Sequence, residues 1–162
     1  MAKVILICGK ICSGKTTYAK SLIKVNSAVL LSSDEIGLAL FGSNGLYELG
    51  CAVEKLQKYL YRKSLEIIEA GINVIIDWGF WKQAERQEAS AFFKKHNVAF
   101  EWHYIDAPDE VLRENLSKRN REVEEERTLC YYVDENLVNG FWDMFEVPAK
   151  NEMDVWINNQ IV

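Results

Sequence analysis

Apolar residues fall into short unbroken runs separated by stretches of helical spacing. Lys3-Val4-Ile5-Leu6-Ile7-Cys8 is such a run, and Ala28-Val29-Leu30-Leu31 and Asn73-Val74-Ile75-Ile76-Asp77 repeat it. Runs that are apolar on both parities predict strands of a parallel sheet covered on both faces. Phe100, Trp102 and Tyr104 share one parity and predict a fourth strand over 98–105, and residues 154–157 predict a fifth. Between them, Tyr18, Ala19, Leu22 and Ile23 predict a helix over 16–24. Leu49, Val53, Leu56, Leu60 and Ile67 form the apolar stripe of a long helix over 47–70, stopped at Gly71. Further helices are expected over 35–41, 82–96, 133–144 and after Pro108, which suits a first turn. Strands that alternate with helices predict an α/β fold, a five-stranded parallel sheet with helices on both faces.

The segment joining the first strand to the first helix carries the strongest chemical signal. Gly9-Lys10-Ile11-Cys12-Ser13-Gly14-Lys15-Thr16-Thr17 fits G-x-x-x-x-G-K-[ST], and its strand–turn–helix context is the one the pattern requires. Gly9 and Gly14 allow turns closed to other residues and bring backbone N–H groups near phosphate oxygens. A helix starting at Lys15 points its positive end at the same anion. Lys15 is expected to reach the β- and γ-phosphates, and the Thr16 hydroxyl to ligate Mg²⁺. The segment predicts nucleoside triphosphate binding across residues 9–17.

Composition narrows the setting. The chain has 162 residues, a length that suits a single domain with a substantial core, and only two prolines, so no linker is expected within 1–162. Net charge is −5, which argues against a large basic nucleic-acid face while leaving room for a local basic patch. The four cysteines, Cys8, Cys12, Cys51 and Cys130, form no C-x-x-C pair and are expected to be reduced thiols of a cytoplasmic protein. The chain reaches the charged Lys3 at once and then becomes strand, so no signal peptide is expected. No apolar run approaches the ~18 residues of a membrane span.

Two acidic residues stand at predicted strand ends, the side on which open α/β sheets bind ligands. Asp34 in Ser32-Ser33-Asp34-Glu35 is placed to accept the proton of an attacking hydroxyl, while Ser33 or Asp34 would equally suit a helix cap. Asp77 closes an apolar strand after the phosphate loop, as in a Walker B site, and is a candidate to hold Mg²⁺ with Thr16. It would also suit a cap for Trp78-Gly79-Phe80-Trp81, an aromatic stretch that could line an acceptor pocket, with Arg86 facing the same crevice. His96 and His103 share no metal or triad spacing and are taken as structural. Arg119 and Arg121 end a helix that opens into a charged segment, which suits a helical lid over about 113–130. Arginines on a lid can neutralise charge on a transferring phosphoryl group, although a salt-bridged surface helix would carry them as well.

The phosphate loop, Ser33-Asp34, Val74-Ile75-Ile76-Asp77, Arg119-Asn120-Arg121 and Phe145-Glu146-Val147-Pro148 together span nearly the whole chain. In this arrangement it resembles the small ATP-dependent P-loop kinases grouped around polynucleotide 5′-kinase, zeta toxin and chloramphenicol phosphotransferase, most of all their short bacterial members. The resemblance implies a P-loop NTPase sheet of kinase-type order 2-3-1-4-5 and ATP with Mg²⁺ as phosphoryl donor. It also implies Asp34 as catalytic base and Arg119 and Arg121 as lid arginines. Polynucleotide kinases carry Asp-x-x-Arg, where this chain has Asp34-Glu35-Ile36-Gly37, a departure that weakens a nucleic-acid acceptor.

The resulting expectation is a phosphotransferase moving the ATP γ-phosphoryl group to a hydroxyl of a small molecule. Lys15, Asp34, Arg119 and Arg121 would be catalytic, and Thr16 and Asp77 would hold the metal. The alternatives are a nucleoside, nucleotide or nucleic-acid 5′-hydroxyl kinase, and a nucleotide-dependent binding switch with a slow ATPase.

Overall fold

A computed structural model of the chain describes residues 1–160. Five strands, β1 (Lys3–Cys8), β2 (Ala28–Ser32), β3 (Asn73–Gly79), β4 (Ala99–Asp106) and β5 (Val155–Asn158), alternate with six helices. These are α1 (Lys15–Asn26), α2 (Ser33–Phe41), α3 (Leu46–Glu69), α4 (Gln83–Lys95), α5 (Asp109–Glu124) and α6 (Glu135–Asp143). A 3₁₀ turn, Lys150–Glu152, precedes β5. All strand pairs are parallel, in the order β2-β3-β1-β4-β5. This is the expected kinase-type order, and predicted boundaries fall close to the observed ones.

The central strand is apolar on both parities because each parity enters a different core. Val4, Leu6 and Cys8 face a cluster with Leu60 of α3 and Phe93 of α4. Ile5 and Ile7 face the other side, with Ala19, Leu22 and Ile23 of α1. Each fully buried aliphatic side chain here contributes about 1.5–3 kcal/mol. A third cluster, built around Leu112, Leu116, Val138 and Trp142, lies between α5 and α6, with Ile11 and Cys12 packed against it.

Strand register aligns the predicted chemistry. Ile7 pairs with Asp77, and Asp77 with Ser32, so the loop after β1, Asp77 and the start of α2 share one edge of the sheet. A register shift after Ile7 carries β3 past Asp77 through Trp78 and Gly79. The segment 78–81 is therefore no helix, and Asp77 caps nothing. The sheet order reverses direction at β1, the position at which open α/β sheets form their ligand crevice. Among the described residues no helix is long and apolar enough to cross a membrane, and all four cysteines are free.

Candidate active site

Between Cys8 and Lys15 the chain must turn from β1 into α1. Gly14 does so at φ 95°, a left-handed conformation that glycine adopts at little cost. Gly9 passes so close to the sheet that a Cβ there would lie 2.9 Å from the Ile105 carbonyl oxygen. Side chains from remote parts of the chain then take up the loop's carbonyls. Trp142 Nε1 donates to Ile11 at 3.3 Å, Asn115 Nδ2 to Cys12 at 3.0 Å, and Asn159 Nδ2 to Ser13 at 2.8 Å. The Lys10 carbonyl accepts from Lys15 Nζ at 2.7 Å. With its carbonyls engaged, the loop presents a cradle of N–H groups. No side chain caps α1, which leaves its first-turn N–H groups and the positive end of its dipole for an anion. Ser13 Oγ is buried without a hydrogen-bond partner among the described residues, an orphan donor that a phosphate oxygen would satisfy.

The acidic residues converge beside this cradle. Thr16 Oγ1 donates to Asp77 Oδ2 at 2.8 Å, and Asp77 is buried. A hydroxyl and a carboxylate in contact make an oxygen donor set suited to Mg²⁺, which takes few protein ligands and completes its shell with phosphate and water. Burial pushes the Lys15 ammonium below its usual pKa, while Asp77 and then Asp34 pull it back up. Asp34 keeps solvent access, yet enough protein surrounds its carboxyl that burial raises its pKa. Lys15 opposes that rise, Asp77 adds to it and Arg119 opposes it. Asp34 does not cap α2: the cap is Ser32, whose Oγ accepts from the Glu35 N–H at 3.3 Å. The Asp34 side chain is thus left for the cleft.

Lys15, Thr16, Asp34, Asp77 and Arg119 all line one cleft of about 710 Å³. Trp78, Trp81 and Phe141 line its apolar part, with the Trp81 and Phe141 rings 5.1 Å apart. Arg119 reaches the cleft while donating through Nε and Nη2 to the Tyr131 carbonyl, at 3.1 and 2.9 Å. Arg121 does not join it. That residue lines a separate cavity of about 510 Å³ with Lys118, Glu114 and Gln160, because two residues along a helix turn a side chain well away from its neighbour. Arg86 does not face the crevice either. It is 2% exposed and bonded to Glu152 (3.0 Å) and to the Phe80 and Glu146 carbonyls (both 3.1 Å), where it ties α4 to the segment before β5. His103 pairs with Tyr18 Oη at 2.9 Å and His96 with the Phe92 carbonyl, and neither lines the cleft.

Sequence reasoning missed Asn115, Asn159 and Trp142, which hold the loop from 103, 146 and 131 residues away. At such separations no local spacing marks them. Tyr131 was missed for the same reason.

A family model described as an AAA domain matches residues 4–130. No curated protein matches the sequence. Among solved structures the chain is similar to a sugar kinase from Janibacter sp. HTCC2649, at 16% identity over 98% of this chain and 86% of that one, with a TM-score of 0.66. It is similar to Kti12 from Chaetomium thermophilum in complex with ADP-AlF3, at 15% identity over 96% and 88%, TM-score 0.69. It is also similar to APS kinase CysC from Mycobacterium tuberculosis in complex with AMPPNP and APS, at 17% identity over 99% and 90%, TM-score 0.65. Likeness at these identities establishes the P-loop kinase fold.

Proposed function

The chain belongs to the AAA domain family, and on that premise we propose that it is an ATP- and Mg²⁺-dependent phosphotransferase acting on a hydroxyl of a small molecule. The observation that carries this reading is the placement of a carboxylate with a raised pKa, Asp34, in the same cleft as the phosphate loop and the Thr16–Asp77 pair. A binding switch needs no base there; a transferase does. The similar structures that hold ADP-AlF3 and AMPPNP favour an adenine nucleotide.

In this reading the loop 9–17 cradles the β- and γ-phosphates through backbone N–H groups, and Lys15 moves from the Lys10 carbonyl onto phosphate oxygens. Thr16 and Asp77 hold Mg²⁺, which when bound neutralises phosphate charge. Asp34 accepts the proton of the acceptor hydroxyl as its oxygen attacks, a role helped by a pKa nearer to neutrality. Arg119 neutralises charge on the transferring group. The second cavity adjoins the cradle through Asn115 and Asn159 and offers polar room for the nucleobase end of the nucleotide, with Arg121 on its wall.

The acceptor is proposed to be small because Lys15 and Arg119 are the only cations lining the cleft among the described residues, and both serve the triphosphate. None remains to grip the backbone of a nucleic acid. The test is transfer of label from γ-labelled ATP to a panel of antibiotics, sugars, nucleosides, nucleotides and a 5′-hydroxyl oligonucleotide. Label on a small molecule supports the proposal. Label on the oligonucleotide alone overturns the acceptor class, and ATP binding with no transfer to any acceptor supports the switch instead.

A further inference from the structure

Tyr131 occupies the far wall of the cleft, in the segment between α5 and α6, and the roles assigned so far do not explain it. The residue is 2% exposed, and its hydroxyl is buried without a hydrogen-bond partner among the described residues. An unpaired buried hydroxyl costs stability, so the ring's position has to be held by something other than that group. What holds it is a seat on α2. A Cβ built on Gly37 would lie 2.5 Å from Tyr131 Oη and 2.8 Å from Leu49 Cδ1, so the ring fits only because residue 37 has no side chain.

Gly37 lies three residues after Asp34, one turn further on the same face of α2. The other end of Tyr131 meets Arg119: its carbonyl accepts both the Nε and Nη2 hydrogen bonds described above. One residue therefore touches the helix that carries Asp34 and the guanidinium that faces it across the cleft. The fork on the carbonyl uses one edge of the guanidinium, so its other N–H groups, which neighbour the Cys12 thiol, can meet a phosphoryl oxygen.

We propose that Tyr131 is a positioning residue: seated against Gly37, it sets the separation between Asp34 and Arg119, so that both close on the transferring phosphoryl group as one unit. The proposal rests on the phosphotransferase reading.

The test compares the affinity for Mg²⁺-ADP alone with that for Mg²⁺-ADP plus aluminium fluoride, a planar mimic of the transferring group that requires no acceptor. Gly37→Ala and Tyr131→Ala are each expected to reduce the gain from aluminium fluoride about tenfold while leaving ADP affinity within about twofold. The double variant Gly37→Ala/Tyr131→Phe is expected to recover most of that gain. It lacks the hydroxyl that collides, and the remaining Leu49 methyl groups can rotate away. A merely structural role would move both affinities together and would show no such recovery. Thermal melting checks folding, and if Gly37→Ala fails to fold, the affinity ratio of Tyr131→Ala decides alone. An unchanged ratio in the variants, or no recovery in the double variant, overturns the proposal. If Arg119→Ala abolishes the gain and Tyr131→Ala leaves it intact, the positioning role falls and the phosphotransferase reading stands. If the unaltered protein shows no gain from aluminium fluoride, the positioning role falls, and label transfer alone decides the phosphotransferase reading.

Discussion

The two walls of the cleft are made in different ways. The phosphate loop grows out of β1, whose residues Val4 to Cys8 are at most 1% exposed, and passes directly into α1. The opposite wall belongs to α5, α6 and the segment between them, which pack around a cluster of their own. That wall meets the loop through Ile11 and Cys12, through single hydrogen bonds from Asn115 and Trp142, and through an exposed Lys10–Asp109 ion pair at 3.3 Å. The first wall is continuous with the main core, and the second is an appendage that supplies Arg119. A cradle must be rigid before nucleotide arrives, whereas a wall that delivers charge to a transferring group has to move with it.

Breaking the rigid wall should have the larger effect. Lys15→Ala removes the one lysine that lines the cleft among the described residues and is expected to lower turnover about 10²–10³-fold and weaken nucleotide binding, read by steady-state kinetics and titration. Across the cleft, Arg119→Ala should reduce transfer about 10²-fold with little change in ATP affinity. Arg121→Ala, on the second cavity, should alter nucleotide affinity by only about twofold to fivefold. Equal losses in transfer for the two arginines would mean that Arg121 also reaches the cleft.

The raised pKa of Asp34 sharpens the same contrast. A base must be ionised, so the acid limb of the transfer rate should lie above the ordinary carboxylate range and disappear in Asp34→Asn. Stability runs the other way. The folded chain holds this proton more tightly than the unfolded chain, so the burden of the buried charge is fully present above the raised pKa. It is relieved as pH falls through that value toward the ordinary one. Asp34→Asn should therefore melt no lower than the unaltered protein at neutral pH. The smallest effect is expected just past β5: Asn159→Ala frees the Ser13 carbonyl and should weaken ATP by no more than about twofold, measured by titration.

The same division explains how much could be read from the chain. The cradle, Thr16, Asp77 and Asp34 follow from strand runs and a motif of eight consecutive residues, and strand register then brings them together. The parallel order was legible only through resemblance, since spacing alone does not rank strands. The second wall was legible as helices but not as geometry. Whether Arg119 or Arg121 enters the cleft depends on a helix phase fixed by Leu112 and Leu116 in their own cluster. Arg86 reads as facing the crevice because it lies early in the helix that follows β3, whereas burial against Glu152 turns it into a staple. The Gly37–Tyr131 seat joins residues whose spacing carries no pattern, so only packing reveals it.

The central claim is that Asp34 faces the phosphate cradle as the base of a transfer reaction. It is tested most directly by Asp34→Asn, measuring ATP affinity and label transfer from γ-labelled ATP on the same preparation. The account predicts ATP affinity within about twofold of the unaltered protein and transfer reduced about 10²–10⁴-fold. Transfer that survives the substitution at full rate would contradict it.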